Sequence, residues 1–100
     1  MQGTDDALPV VHNERKQQFE IELAPGTRAI LSYRQRGEAL DLVHTEVPPA
    51  WRERGIAGQL AHAALEFARN QKLAIVPSCP FVLDYLRGHS EYLPLVDRGA

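Results

Sequence analysis

The spacing of the apolar residues changes once along the chain, after Pro48 and Pro49, and this change limits the available folds. Before the two prolines, apolar residues recur at every second position, as on strands with one buried face. After them, over about residues 55–71, apolar residues fall at helical spacing with polar residues on the opposite side. The chain therefore has to combine a set of strands with a long amphipathic helix.

Three segments with a period of two precede the prolines, over residues 18–23, 28–34 and 39–47. Residues 24–27 form the first turn, since they contain a Pro-Gly pair. Such short connections predict an antiparallel meander of three strands. The residues of the third strand that strict alternation places on one face are Leu40, Leu42, His44 and Glu46.

The segment after the helix, residues 73–76, is apolar without alternation, which is typical of a strand covered on both faces. With residues 39–47 and the helix it predicts a βαβ unit, whose strands are parallel and joined by a right-handed crossover. A short helix is expected over about residues 80–88. The prediction is an α/β (α+β) fold with a mixed sheet, one domain over residues 13–100, after a flexible lead-in over residues 1–12.

The composition narrows the classes of partner. A formal net charge of -2 over 100 residues lacks the basic excess that attracts nucleic acid or an anionic membrane. No apolar run approaches the roughly 20 residues of a membrane-spanning helix, and the N-terminus has no signal-peptide pattern. Cys79 is the only cysteine, which favours a reducing, cytoplasmic location. No metal site is predicted, because His12, His62 and His89 show no ligand spacing.

A segment of small and basic residues connects the third strand to the long helix. Gly55, Ala57 and Gly58 leave the first helical turn almost without side chains, so a diphosphate could approach its free amides. Arg52 and Arg54 add cationic donors beside that turn. The alternative is that the small residues only allow close packing of the helix on the sheet.

The pattern Arg52-x-x-Gly55-x-Ala57 resembles the Q/R-x-x-G-x-G/A motif of the Gcn5-related N-acetyltransferases (GNAT), in the same place between strand and helix. The residues around it, 44–48 and 77–80, are similar to those of a small subfamily of minimal acetyltransferase-like proteins. The resemblance covers about residues 18–93. It implies a GNAT-like sheet whose two parallel strands splay apart, acetyl-CoA as the cofactor, and transfer of an acetyl group to an amine that the sequence does not identify.

The resemblance also implies where acetyl-CoA binds. Its pantetheine arm would lie between the splayed strands, and its pyrophosphate would rest on the amides at the start of the helix. The implied cofactor-binding residues are Thr45, Glu46, Val47, Arg52, Arg54, Gly55, Ile56, Ala57 and Gly58. Family members carry helices between their first two strands that wall the acceptor site, whereas this chain has only residues 24–27 there. A non-catalytic acyl-CoA-binding module is therefore an alternative, and a plain interaction domain is a third.

Three side chains, His44, Glu46 and Cys79, are the candidates for the chemistry of transfer. His44 and Glu46 lie near the end of the central strand on the same side, and either could act as the base. Cys79 follows the second parallel strand, where it could act as a thiolate nucleophile with His44 across the gap. Tyr85 could protonate the thiolate of coenzyme A. The simpler alternatives are a hydrogen-bonded histidine, a solvated carboxylate, a packed thiol and a packed ring.

Overall fold

Five strands form one mixed sheet in the part of the chain that the computed structural model describes, residues 8–97. The strands lie in sequence order, antiparallel from the first to the fourth, and the fourth and fifth are parallel. This arrangement confirms the predicted mixed sheet, with its meander and its βαβ unit. The strands are β1 (Val11–Asn13), β2 (Gln18–Ala24), β3 (Thr27–Arg36), β4 (Ala39–Glu46) and β5 (Ala74–Pro77).

Two helices cover one face of this sheet, α1 (Ile56–Gln71) and α2 (Pro80–Arg87), close to the predicted bounds. Helix α1 packs on β2 and β3, and it also contacts α2 and the C-terminal segment. Its buried side is therefore wider than a single apolar stripe. The buried residues of α1 are Ile56, Leu60, Ala61, Ala64, Leu65 and Ala68. Neither of these two described helices is long and apolar enough to cross a membrane.

A β-bulge in β4 changes which side chains share a face. Ser32 of β3 pairs with His44, but its neighbour Tyr33 pairs with Leu42, so Val43 is an extra residue. Thr45 consequently lies opposite the buried Leu31, on the face that α1 covers.

The bulge turns His44 and Glu46 to the other face of the sheet, away from Leu40 and Leu42. The prediction that these four residues share one face is therefore wrong. Its physical reason is that one inserted residue reverses the alternation for the rest of a strand. His44 and Glu46 still share a face with each other, and both are exposed.

Regular structure begins inside the predicted lead-in. Strand β1 starts at Val11 and pairs with β2, and the His12 ring stacks on Phe19 with 4.2 Å between ring centroids. Leu8 and Val10 pack against the core. The structure thus places residues 8–12 against the core, in the segment that the sequence analysis took as a flexible lead-in, because a three-residue edge strand is too short to show alternation. The first seven residues lie outside the described ones.

The C-terminal segment is attached to α1 through one buried side chain. It forms a short 3-10 helix, Ser90–Leu95, in which Tyr92 is only 2% exposed. The Tyr92 hydroxyl donates a hydrogen bond to Glu66 at 2.5 Å and lies 3.0 Å from Nδ1 of His62. Part of the polar side of α1 is therefore a docking site for the tail rather than a solvated surface.

We expect Tyr92→Phe to lower the free energy of unfolding at about pH 7, and to do so less in acid. The hydrogen bond from Tyr92 is the main cause that lowers the pKa of Glu66 below 4.5, and Arg69 adds to it. A carboxylate with a lowered pKa stabilises the fold above its unfolded pKa, and that contribution is lost as the pH falls through its folded pKa. Urea titrations of both proteins at about pH 7 and about pH 3.5 measure this. An equal difference at both pH values would contradict it.

Candidate functional site

Two adjoining hollows of about 270 Å³ and 380 Å³ lie where β4 ends and α1 begins. One hollow extends along the start of α1 as far as Gly58, and the other extends along β4 to His44. Together they form one groove, which joins the end of the strand to the first turn of the helix. The residues that line both hollows are Val47, Arg52, Ala57 and Phe81.

The start of α1 presents free backbone amides to this groove. Gly55 is the N-cap in the left-handed region at φ 77°, and a Cβ built there would meet no atom within 4 Å. Among the described residues, no side chain caps this end of the helix and no acidic residue lies in its first turn. The first intrahelical bond of the turn runs from the Gln59 amide to the Gly55 carbonyl. The preceding amides are therefore open to an anion, with the positive end of a 16-residue helix behind them.

The two arginines of the loop have different roles. Arg52 lines both hollows, and its Nε donates a hydrogen bond to the Val47 carbonyl at 3.1 Å. Arg54 lines neither of them, because its guanidinium lies over the Trp51 ring, 5.0 Å from the centroid. Arg52 is thus the better placed of the two cations to meet a ligand in the groove.

The second half of β4 has a free edge on the β5 side. The pairing of β4 with β5 ends at Leu42 and Pro77, and the Cys79 amide then donates to the Leu42 carbonyl at 2.8 Å. Strand β4 continues to Glu46 without that partner. Its last backbone groups are therefore available to an extended ligand, at the place where the splayed strands were expected.

Cys79 lies at this fork, but its partner is Thr45. The Cys79 thiol is 3.3 Å from Oγ1 of Thr45, and Cys79 is 4% exposed. His44 is directed to the opposite face of β4 by the bulge. The structure therefore brings Cys79 together with Thr45 and does not bring it together with His44.

His44 and Glu46 both line the 380 Å³ hollow at its open end. Tyr85 is placed differently: it lines a third hollow of about 470 Å³, with Leu8 and Val10, beside Gly58. Its ring stacks on His89 with 3.8 Å between centroids, and burial is the main cause that raises its pKa above 10.0. Tyr85 lines neither hollow of the groove, but the hollow that it does line shares Gly55 and Gly58 with the 270 Å³ one.

The sequence analysis missed three lining residues: Trp51 and Glu53, which line the 270 Å³ hollow, and Phe81. Phe81 is 37% exposed and borders both hollows from the first turn of α2. Helices that follow parallel strands begin at the same edge of a sheet, so the position of Phe81 just after Pro80 was a usable signal. In residues 8–97, no three His, Cys, Asp or Glu side chains are grouped to hold a metal ion.

We expect Gly55→Ala and Gly58→Ala to change stability in opposite directions. Alanine at position 55 would have to adopt the left-handed conformation, which lowers the free energy of unfolding by about 1 kcal/mol. A Cβ at Gly58 only makes ordinary contact with Cε1 of Tyr85 at 3.6 Å, and alanine favours the helix by up to about 1 kcal/mol. Chemical unfolding of both variants measures the effects. Equal destabilisation would contradict the assigned backbone geometry.

The chain is similar to known proteins in sequence and in fold. Protein NATD1 of Homo sapiens is 41% identical over 82 residues, which are 80% of this chain and 73% of that protein. Protein NATD1 of Danio rerio is 37% identical over 90 residues, 86% of this chain and 82% of that protein. The NMR structure of a GCN5-like protein from Staphylococcus aureus superposes with a TM-score of 0.72 at 23% identity, over 93% of this chain and 91% of that one. This last similarity shows the fold.

The family assignment follows from a match over most of the chain. The family model for GCN5-related N-acetyl-transferase covers residues 18–95, which include the strand end, the loop and the helix start of the groove. The chain belongs to the GCN5-related N-acetyltransferase family.

Proposed function

We propose that this chain binds acetyl-CoA in the groove between β4 and α1 and transfers the acetyl group to an amine. The observation that carries the proposal is the uncapped start of α1, where free amides and the helix dipole face the open space at Gly55. A diphosphate needs such a site, and members of this family generally use acetyl-CoA.

The groove suits the rest of the cofactor as well. The free edge of β4 beyond Leu42 offers backbone groups to the amides of a pantetheine arm at Thr45, Glu46 and Val47. Arg52 adds a cation between that edge and the helix start. The amides of Ile56, Ala57 and Gly58 would hold the pyrophosphate, and Arg54 would contribute from its place on Trp51 by charge alone.

Transfer of the acetyl group requires side chains that accept a proton from the amine and supply one to the leaving thiolate. Acetyl-CoA supplies the acetyl group as a thioester; a C–N bond forms, a C–S bond breaks, the amine gives up a proton and the leaving thiolate gains one. Glu46 and His44 are exposed at the open end of the groove, where either would accept the amine proton directly or through water. Cys79 is buried with a threonine hydroxyl as its partner, which is no base for making a thiolate. We therefore favour direct transfer over an acetyl-Cys79 intermediate.

A second candidate function is a non-catalytic acyl-CoA-binding module. Only Pro25 and Gly26 connect β2 to β3, so no helix stands there to wall an acceptor beside Glu46. Both functions require the same cofactor groove. They differ in whether acetyl-CoA is consumed when an amine is present, which a screen of amines and basic peptides for release of free CoA decides.

We expect Ala57→Glu to weaken CoA binding by about 2 kcal/mol or more. Ala57 lines both hollows in the first turn of α1, so a carboxylate there would repel a diphosphate. The helix itself should be unaffected, because glutamate suits the positive end of a helix. Calorimetry with CoA measures the loss, with circular dichroism as the check of folding. Ala57→Gln is the matched control, of similar size without the charge; unchanged affinity in folded Ala57→Glu would place the diphosphate elsewhere.

If the acetyl group is transferred directly, substitutions of Cys79 and Glu46 should have different effects on activity. With acetyl-CoA alone, intact-protein mass spectrometry should show no hydroxylamine-sensitive adduct on Cys79. With an accepted amine, Cys79→Ser should keep most of the activity, while Glu46→Gln or His44→Gln should lower kcat by about 100-fold. CoA affinity should persist in all three variants. An adduct that disappears in Cys79→Ser would instead establish the covalent route.

A further inference from the structure

The hollow of about 470 Å³ beside Tyr85 adjoins the groove between β4 and α1. It shares Gly55 and Gly58 with the 270 Å³ hollow, so both hollows reach the same free amides at the start of α1. A diphosphate held on those amides would therefore border both of them. The groove along β4 suits the pantetheine arm, which leaves the 470 Å³ hollow for the other half of the cofactor.

Helix α2 lines the two hollows in succession with aromatic rings. Phe81 borders the groove, and Tyr85 borders the 470 Å³ hollow one helical turn later, with 6.2 Å between the two ring centroids. The Tyr85 ring is held in turn by its stacking on His89. The aromatic wall of α2 thus continues from the groove into the 470 Å³ hollow.

The segment before β1 supplies another part of the wall. Leu8 and Val10 are half-buried and line the hollow, and Ala63 lines it from α1. No Asp, Glu, Lys or Arg is among the lining residues. The volume of the hollow is within the roughly 300–1,000 Å³ that small-molecule sites enclose. Next to a diphosphate, such a hollow suits a flat, uncharged group.

Gln59 and His62 give this hollow one hydrogen-bond donor and one acceptor. Oε1 of Gln59 accepts the Leu8 amide at 3.0 Å, so Nε2 of Gln59 is left as a donor. The Tyr92 hydroxyl donates its only hydrogen to Glu66, so its 3.0 Å contact with Nδ1 of His62 requires a hydrogen on Nδ1. In the neutral ring, Nε2 of His62 is then an acceptor. Residues three apart are neighbours on a helix, so the donor and the acceptor lie on the same side of α1.

We propose that the adenosine of acetyl-CoA binds in this hollow, an inference that rests on the proposed binding of the cofactor in the groove. Adenine is flat, and its N6 amine donates next to N7, which accepts. Gln59 would donate to N7 and His62 would accept from N6. Leu8, Val10 and Tyr85 would contact the ring. The segment before β1 is thereby part of the cofactor site.

The test compares CoA with 4′-phosphopantetheine, which lacks the adenosine and one phosphate, in amide NMR titrations of the full chain. Both ligands should shift the amides of Gly55 and Gly58. Only CoA should shift those of Leu8, Val10 and Ala63. We expect CoA to bind at least about tenfold more tightly than 4′-phosphopantetheine.

The variant Ala63→Leu fills the hollow without entering the groove, because Ala63 lines neither of the two groove hollows. It should lose about tenfold in affinity for CoA and keep the affinity for 4′-phosphopantetheine. Asn70→Leu is the matched control: it adds the same side chain at an exposed position of α1 that lines none of these hollows, and it should bind both ligands as the unchanged chain does. Dispersed amide spectra show that each variant is folded.

The adenosine site is overturned if CoA leaves the amides of Leu8, Val10 and Ala63 unshifted. It is also overturned if folded Ala63→Leu keeps its affinity for CoA, loses affinity for both ligands equally, or loses no more than Asn70→Leu. In each of these cases, saturable shifts at Gly55 and Gly58 would still support the groove. No saturable shift with either ligand would reject the groove, and the adenosine site with it.

Discussion

Strand β4 is paired on both sides over its first half and on one side over its second half, and the groove depends on this difference. Its pairing with β5 ends at Leu42, and the bulge at Val43 comes directly after it. From there the strand has a free edge and a reversed alternation. Thr45 turns to the helix-covered face beside Cys79, while Glu46 turns to the exposed face. One irregularity thus separates the backbone that we propose for cofactor binding from the side chains that we propose for proton transfer.

The dipole of helix α1 places a partial positive charge at its N-terminal end and a partial negative charge at its C-terminal end. At Gly55 its free amides and positive pole face a bare, open loop, which suits a diphosphate. At Gln71 its negative pole lies beside a second hollow, of about 680 Å³, which Glu38 and Phe67 also line. The helix is held between these ends by its packing on the sheet and by Tyr92, which attaches the C-terminal segment to its polar side.

The family model covers the residues that line the groove, and the acceptor side of the sheet is open. The two-residue connection at Pro25 and Gly26 leaves the sheet face that carries His44 and Glu46 uncovered by any described helix. An acceptor would therefore meet an exposed sheet face rather than a cleft walled by helices. Catalytic rate and acceptor choice depend on how such a surface orders an amine, since orientation supplies much of the rate of a transfer reaction.

The sequence by itself determined the elements that local spacing controls. The period of two predicted β2, β3 and β4, the helical period predicted α1, and the bare loop at Gly55 marked the groove, because each is a property of neighbouring residues. The tertiary structure alone decided the bulge at Val43, the short edge strand β1, the pairing of Cys79 with Thr45 and the docking of Tyr92. Each of these depends on residues far apart in the chain, whose register and contacts are fixed only when the sheet closes against α1.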